Sequence, residues 1–483
     1  MRYSKLFIGG QAVDASGGAT TDRRNPVSSE IVTRAAAASV ADANAVAEAA
    51  QQAFPAWSAV GPSERRRRLE KAGDLMEGRR AEFVECMMSE TGATAGWSHF
   101  NVQEGVHMLR EAAAMVTQIQ GQVIPSDIPG FLSLAVRQPV GVCLGIAPWN
   151  APLILGCRAV AMPLACGNTV VLKASEFCPG LHTLIGEVLH EAGLGGGIVN
   201  VITNAPVDAA VIVDALIAHK AVKRINFTGS SRVGRIVAEK AARLLKPVLL
   251  ELGGKSPLVV LDDADLDEAV NAAIFGAFMN QGQICMSTER IVVDERIADV
   301  FVAKFAARAN SLSVGDPSNS NAVLGAMIDP AAAARVHELV LEAREMGAEI
   351  IAGGETSGAL MAATVVDRVT PRMRIYHEET FGPVTTVVRA ADEDDAVRIA
   401  NDTEFGLSSA VFSRDIARAL AVAARIDSGI CHINSPTVED EPQMPFGGTK
   451  DSGYGRFGGT AGIAEFTVLR WVSIQSHQRQ YPF

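Results

Sequence analysis

Cysteine is scarce and scattered in this chain. Its 483 residues include seven: Cys86, Cys143, Cys157, Cys166, Cys178, Cys285 and Cys431. The number is odd, the spacing is irregular, and no two form a C-x-x-C pair. That pattern argues against a disulfide framework and a zinc site, and for free thiols in a reducing compartment. No metal is expected. Long apolar runs are missing too, since none reaches the about 18 residues that a membrane span needs. The N-terminus sets charged and polar residues beside the short run Leu6-Phe7-Ile8, which is no signal peptide. A cytoplasmic protein without a membrane partner is the expectation. Basic charge is also in deficit, with 43 Lys and Arg against 54 Asp and Glu and a formal charge of −11. The one dense basic run, Arg65 to Arg68, spreads around a helix, so no nucleic-acid partner is expected. There is no internal repeat and no low-complexity linker.

What is present is a soluble globular composition, 48% hydrophobic and 20% charged. The length suggests about two to four domains. A hairpin over 5–13, turning at Gly9-Gly10, opens the chain. Helical patterns follow over 42–54, from Pro62 onward, and over 82–89 and 100–117. Strand-like alternation over 121–124 and 131–136 makes a candidate protruding hairpin. From Val140 strands and helices alternate up to 252, which argues for a doubly wound parallel sheet. Such sheets bind ligands at the carboxyl ends of their strands. A second alternating series runs from Gly253-Gly254 to about Ile433. The fold class is α/β.

Three stretches carry chemistry. In Asn280-Gln281-Gly282-Gln283-Ile284-Cys285-Met286 a cysteine follows a polar, glycine-bearing loop between a helical pattern and a strand. Backbone N–H groups there would favour thiolate, the nucleophilic form. A small buried apolar residue is the bland alternative. In Leu249-Leu250-Glu251-Leu252-Gly253-Gly254-Lys255 a lone glutamate sits in an apolar run. It must find a partner or have its pKa raised, which makes it a general-base candidate. In Ile146-Ala147-Pro148-Trp149-Asn150 a strand ends in an amide side chain before a helix. Thiol, carboxylate and amide together supply a nucleophile, a base and an oxyanion donor. Phe227-Thr228-Gly229-Ser230-Ser231-Arg232-Val233-Gly234 reads as strand, tight turn and helix start. It could bind phosphate, and a plain helix cap fits it equally well.

With these stretches in this order the chain resembles the aldehyde dehydrogenase superfamily over nearly its whole length. Glu251-Leu252-Gly253-Gly254-Lys255 is similar to the family's glutamate motif and Gly282-Gln283-Ile284-Cys285 to its cysteine motif. Their separation, 285 − 251 = 34, fits as well. The resemblance implies an NAD-binding domain over 1–119 and 141–252, with 453–469 returning to it. It implies a catalytic domain over 253–452 and an oligomerisation module over 120–140 and 470–483. It further implies that Cys285, Glu251 and Asn150 are catalytic. Cofactor contacts would come from Ile146, Pro148, Trp149, Lys173, Glu176, Gly229, Ser230, Gly234, Leu252, Glu379 and Phe381. In the family's manner Lys173 and Glu176 would hold the adenosine ribose, which favours NAD over NADP. Glu379 would hold the nicotinamide ribose. A homodimer or homotetramer is implied.

The stretches 151–158 and 431–437 are similar to the family's aromatic-aldehyde branch, which acts on salicylaldehyde, vanillin and benzaldehyde types; the salicylaldehyde pattern is nearest. Its pocket would be lined by Trp97, Met108, Arg158, Ile284, Met286 and Phe446, an apolar space with one cation. The implied reaction is oxidation of an aromatic aldehyde to the acid with NAD and water. It would proceed through a Cys285 thiohemiacetal and a thioester hydrolysed with Glu251 as base. The alternatives are a broad-specificity or aliphatic aldehyde dehydrogenase, an acyl-CoA-forming one, a thiol esterase without redox cofactor, and a non-catalytic relative. Glu251 argues against the acyl-CoA route, where that base is usually absent. The dinucleotide motifs argue against the esterase.

Overall fold

The computed structural model describes residues 1–483. Strands rich in Val, Ile and Leu lie at its centre. Val142–Ile146, Thr169–Lys173 and Val199–Ile202 are buried at every position, as strands covered on both faces must be. They belong to an eight-stranded sheet. Its order is Gly453–Tyr454, Val248–Glu251, Val222–Thr228, Val142–Ile146, Thr169–Lys173, Val199–Ile202, Leu6–Ile8, Gln11–Val13. The five middle strands are parallel. The opening hairpin and Gly453–Tyr454 join antiparallel at the edges, so the sheet is mixed rather than purely parallel. The order of strand addition reverses between Val142–Ile146 and Val222–Thr228. The crevice at their carboxyl ends is where a doubly wound sheet takes a ligand.

A second sheet has seven strands. Its order is Glu349–Ala352, Thr364–Asp367, Val384–Ala390, Thr288–Asp294, Ser256–Val260, Ser408–Phe412, Ile430–Ile433. All neighbours are parallel except the first pair. The segment 449–454 ties the sheets together. Thr449–Lys450 pairs with Phe405–Gly406, and Gly453–Tyr454 then edges the first sheet.

Helix Pro152–Ala165 is buried along its whole length. Pro152 stands in its first turn, where a missing N–H costs nothing. A three-stranded sheet of Gln122–Ile124, Phe131–Pro139 and Thr467–Gln475 stands apart, its last strand starting three residues before Arg470. A small sheet of Arg2–Ser4, Ile31–Ala36 and Thr20–Arg24 was not foreseen, because Thr-Thr-Asp-Arg-Arg offers no apolar strand signal. No helix is long and apolar enough to cross a membrane.

Candidate active site

Cys285 sits on a strained turn that is tied down at both ends. Helix Leu266–Phe278 stops, and Asn280, Gln281 and Gly282 take φ values of 48°, 55° and 67°. Left-handed backbone at a non-glycine residue costs of order 1–3 kcal/mol. A Cβ on Gly282 would collide with the Gly382 carbonyl, so only glycine fits there. Buried amides hold the turn. Gln281 Oε1 accepts from Gly325 N at 2.9 Å and its Nε2 donates to the Ala326 carbonyl at 2.9 Å. Gln283 Oε1 accepts from Ile328 N at 2.9 Å. Asn280 Nδ2 donates to the Asn150 carbonyl at 2.9 Å.

Asn150 is thereby fixed to the same turn. Its Nδ2 donates to the Gln283 carbonyl at 2.9 Å, which leaves one N–H uncommitted. Trp97 Nε1 donates to the Asn150 carbonyl at 3.1 Å and clamps it from the other side. Glu251 ends strand Val248–Glu251 with 1% of its surface exposed. Neither of its oxygens has a hydrogen-bond partner of ordinary geometry. Burial pushes its carboxyl up to about 7, against the opposing pull of the Cys285 thiol and the Arg158 guanidinium. The thiol differs from the sequence expectation. Burial, and then the negative charge of Glu251, hold it well above its ordinary value. Only Arg158 pulls the other way, so the resting residue is a thiol and not a thiolate.

Two cavities meet at Cys285. One, of about 680 Å³, is lined by Trp97, Arg158, Ile284, Met286 and Phe446, with Asn150 and Cys285 at its inner end. Met108 does not line it and faces a small recess alongside. Arg158 is no free cation. It is buried, paired with Asp440, and has its guanidinium 4.2 Å from the Phe446 ring centre. Asp440 was missed by the sequence reading. The only signal was the acidic run Glu439-Asp440-Glu441 shortly before Phe446.

The other cavity, of about 720 Å³, is lined by Asn150, Glu251, Leu252, Cys285, Glu379 and Phe381. It continues into a cleft of about 560 Å³ lined by Ile146, Pro148, Trp149, Lys173, Glu176, Gly229 and Ser230. This is the crevice where the strand order of the first sheet reverses. Gly234 lies beneath, where a Cβ would press into Leu252. Burial works to raise the Glu176 carboxyl, yet its ion pair with Lys173 outweighs that and holds it below the ordinary value. Asn204 Nδ2 donates to it at 2.9 Å. Glu379 Oε1 accepts from Gly254 N at 2.8 Å, while burial and then Glu289 push its carboxyl up to about 8. Glu289 was another omission. It accepts from Thr380 N at 2.8 Å and Phe381 N at 2.9 Å, and pairs with Lys255 at 2.7 Å. Phe381 is left-handed at φ 47° and meets Trp149 edge to face at 5.7 Å. A glycine turn opening a helix, with acceptor carboxylates on either side, is a donor and acceptor set that fits a dinucleotide. No group of three or more His, Cys, Asp or Glu side chains is placed to hold a metal ion.

Residues 13–472 match the aldehyde dehydrogenase family. A vanillin dehydrogenase of Pseudomonas fluorescens is 59% identical over 477 residues, covering 99% of each chain. The crystal structure of a salicylaldehyde dehydrogenase from Pseudomonas putida G7, complexed with salicylaldehyde, superposes with a TM-score of 0.99 at 53% identity, covering 100% of both chains. An NAD-dependent aldehyde dehydrogenase from Sinorhizobium meliloti superposes with a TM-score of 0.96 at 36% identity, covering 100% of this chain and 97% of that one.

Proposed function

Since the chain belongs to the aldehyde dehydrogenase family, we propose that it oxidises an aromatic aldehyde of the salicylaldehyde, vanillin or benzaldehyde type to the carboxylic acid, using NAD and water. The observation that carries this is the cavity walled by Trp97, Ile284, Met286 and Phe446, which ends on Cys285 and Asn150. Flat apolar walls suit a ring, and Asn150 and Cys285 stand where its carbonyl would arrive; charged residues such as Glu104, Arg110, Glu111 and Glu439 line other parts of the same cavity.

Cys285 Sγ attacks the carbonyl carbon, and its proton passes to Glu251. A carboxylate whose pKa is about 7 is well matched to accept it near neutral pH. The oxyanion takes hydrogen bonds from the uncommitted N–H of Asn150 and from the Cys285 backbone N–H. Bound NAD supplies the hydride acceptor. Cys285 is left as a thioester. Glu251 releases the first proton to solvent and then takes one from water as the water oxygen attacks the acyl carbon; the C–S bond breaks, the acid departs, and the proton on Glu251 returns to the leaving sulfur to restore the thiol.

Glu176 would accept from both ribose hydroxyls and repel a 2′-phosphate, which supports NAD over NADP. The exposed apolar face of the three-stranded sheet supports a homodimer or homotetramer; Val123 is 70% exposed, Ile474 51% and Val468 45%. The free cysteines support a cytoplasmic setting.

The test is to follow NADH formation with NAD and salicylaldehyde, vanillin, benzaldehyde and a short aliphatic aldehyde, beside Cys285→Ser. Fastest turnover with the aromatic aldehydes, lost by about 10³-fold or more in the variant, is the expected result. Preference for the aliphatic aldehyde keeps the mechanism and overturns the substrate. Ester hydrolysis without NADH from any aldehyde overturns the redox reading.

A further inference from the structure

We infer that Arg232 binds the diphosphate of the dinucleotide, a role that rests on the cofactor reading above. The two cofactor-side cavities share six lining residues: Pro148, Trp149, Thr228, Gly229, Ser230 and Arg232. Glu176 lines only one of these cavities and Glu379 only the other. A dinucleotide with one ribose at each carboxylate must pass its diphosphate through the junction. Arg232 is the one charged residue there.

The remaining cations of the two cavities are committed. Lys173 pairs with Glu176, and Lys240 with Asp214. Arg335 donates to the Thr380 carbonyl at 2.6 Å, and His377 Nε2 lies 2.9 Å from the Pro371 carbonyl. Further along the helix, Arg235 pairs with Asp451. Arg232 is exposed and has no acidic partner. It also stands in the first turn of helix Ser231–Arg243, at the positive end of the helix dipole. A cation is disfavoured there unless an anion joins it. Diphosphate is that anion. Ser230 caps the helix by accepting from Val233 N at 3.4 Å, and Arg232 is the only charged side chain in the first turn. Arg232 therefore supplies the mobile charge that the turn lacks.

ADP-ribose carries the diphosphate without the nicotinamide, so its binding can be measured by calorimetry with no turnover. Arg232→Ala should weaken it about three- to tenfold, the size of one partly screened charge contact, and flatten the dependence of log Kd on log salt. Arg232→Glu should weaken it further, and Arg232→Lys should restore most of the loss. Thermal midpoints should stay within a degree or two of the parent's, slightly higher for Arg232→Ala and Arg232→Glu, because relief of the helix dipole is worth about 0.3–1 kcal/mol in a chain of this size. Equal ADP-ribose affinity and equal salt slope in parent and Arg232→Glu would overturn the assignment. Failure of the parent itself to bind ADP-ribose would overturn the cofactor reading, and this role with it.

Discussion

The cavity walled by Trp97, Ile284 and Phe446 and the cleft walled by Glu176 and Glu379 share Cys285 but treat charge in opposite ways. On the first side the buried cation is closed on itself. Arg158 pairs with Asp440 and lies over Phe446, so beside Cys285 the incoming molecule meets the apolar walls of Trp97, Ile284, Met286 and Phe446 rather than a free cation. On the second side polar groups are left open, with Glu251 and Glu379 held as weak acids and Arg232 unpaired. A neutral ring needs the first environment, and a polyanionic cofactor with ribose hydroxyls needs the second. Cys285 sits where they meet, and its thiol keeps its proton at rest chiefly because it is buried, with Glu251 and then Glu379 opposing ionisation further. That keeps a reactive thiolate from forming before the aldehyde arrives.

The sharpest way to separate the two sides is at the residues between them. Glu251→Gln should cut steady-state turnover by about 10²–10⁴-fold, since hydrolysis of the thioester loses its base. A burst of NADH should persist with a slower rate, because the thiol must then ionise unaided. A stopped-flow trace with no burst would assign Glu251 an indispensable part in the first step. Asn150→Ala should lower kcat by about 10²–10³-fold while ADP-ribose binding stays unchanged. Loss of that binding instead would mean that Asn150 serves the cleft rather than the carbonyl.

On the aldehyde side the prediction concerns stability first. Arg158→Leu leaves the partly buried Asp440 without its partner, and should cost roughly 1–3 kcal/mol in denaturant unfolding. The pair Arg158→Leu with Asp440→Leu should recover most of this, since apolar replacement of a buried ion pair is often neutral. If the guanidinium also reads a ring hydroxyl, that double variant will lose the preference for salicylaldehyde over benzaldehyde. An unchanged preference would confine Arg158 to the wall.

The residues that the fold gathers around one cavity, Cys285, Glu251 and Asn150, were legible where the signal is local. The glutamate and cysteine stretches each carry their identity within seven residues, and the strand–helix alternation set the first sheet. What escaped was long-range. Asp440 is 282 residues from Arg158, and nothing near either one announces the pair. Glu289 secures Phe381 from 92 positions away. Met108 shares a helix with Trp97 but stands about 16 Å farther along it, past the cavity. The protonated thiol could not be read at all, because burial and the approach of Glu251 are properties of the fold. The antiparallel edges of the first sheet come from segments at the two ends of the chain, which local pattern cannot place side by side.

The smallest effect tests the price of the open side. Burial raises the Glu251 carboxyl from the ordinary range, about 4.3, to about 7. Below pH 4 folded and unfolded chains both carry the proton, and this group is neutral in its effect. As pH rises from about 4.3 to 7 the unfolded chain ionises first, so stability is lost through that window. Above 7 the deficit levels off at roughly 3 kcal/mol. Glu251→Gln removes the titration. Its thermal midpoint should therefore gain on the parent's as pH goes from 5 to 8, by a few degrees at most in a chain of this size. A difference that does not change with pH would mean that the carboxyl is not destabilised in the fold. The match between its proton affinity and neutral catalysis would then need another origin. A gain that grows with pH would show that the same burial which makes Glu251 a competent base is a cost the fold carries for function.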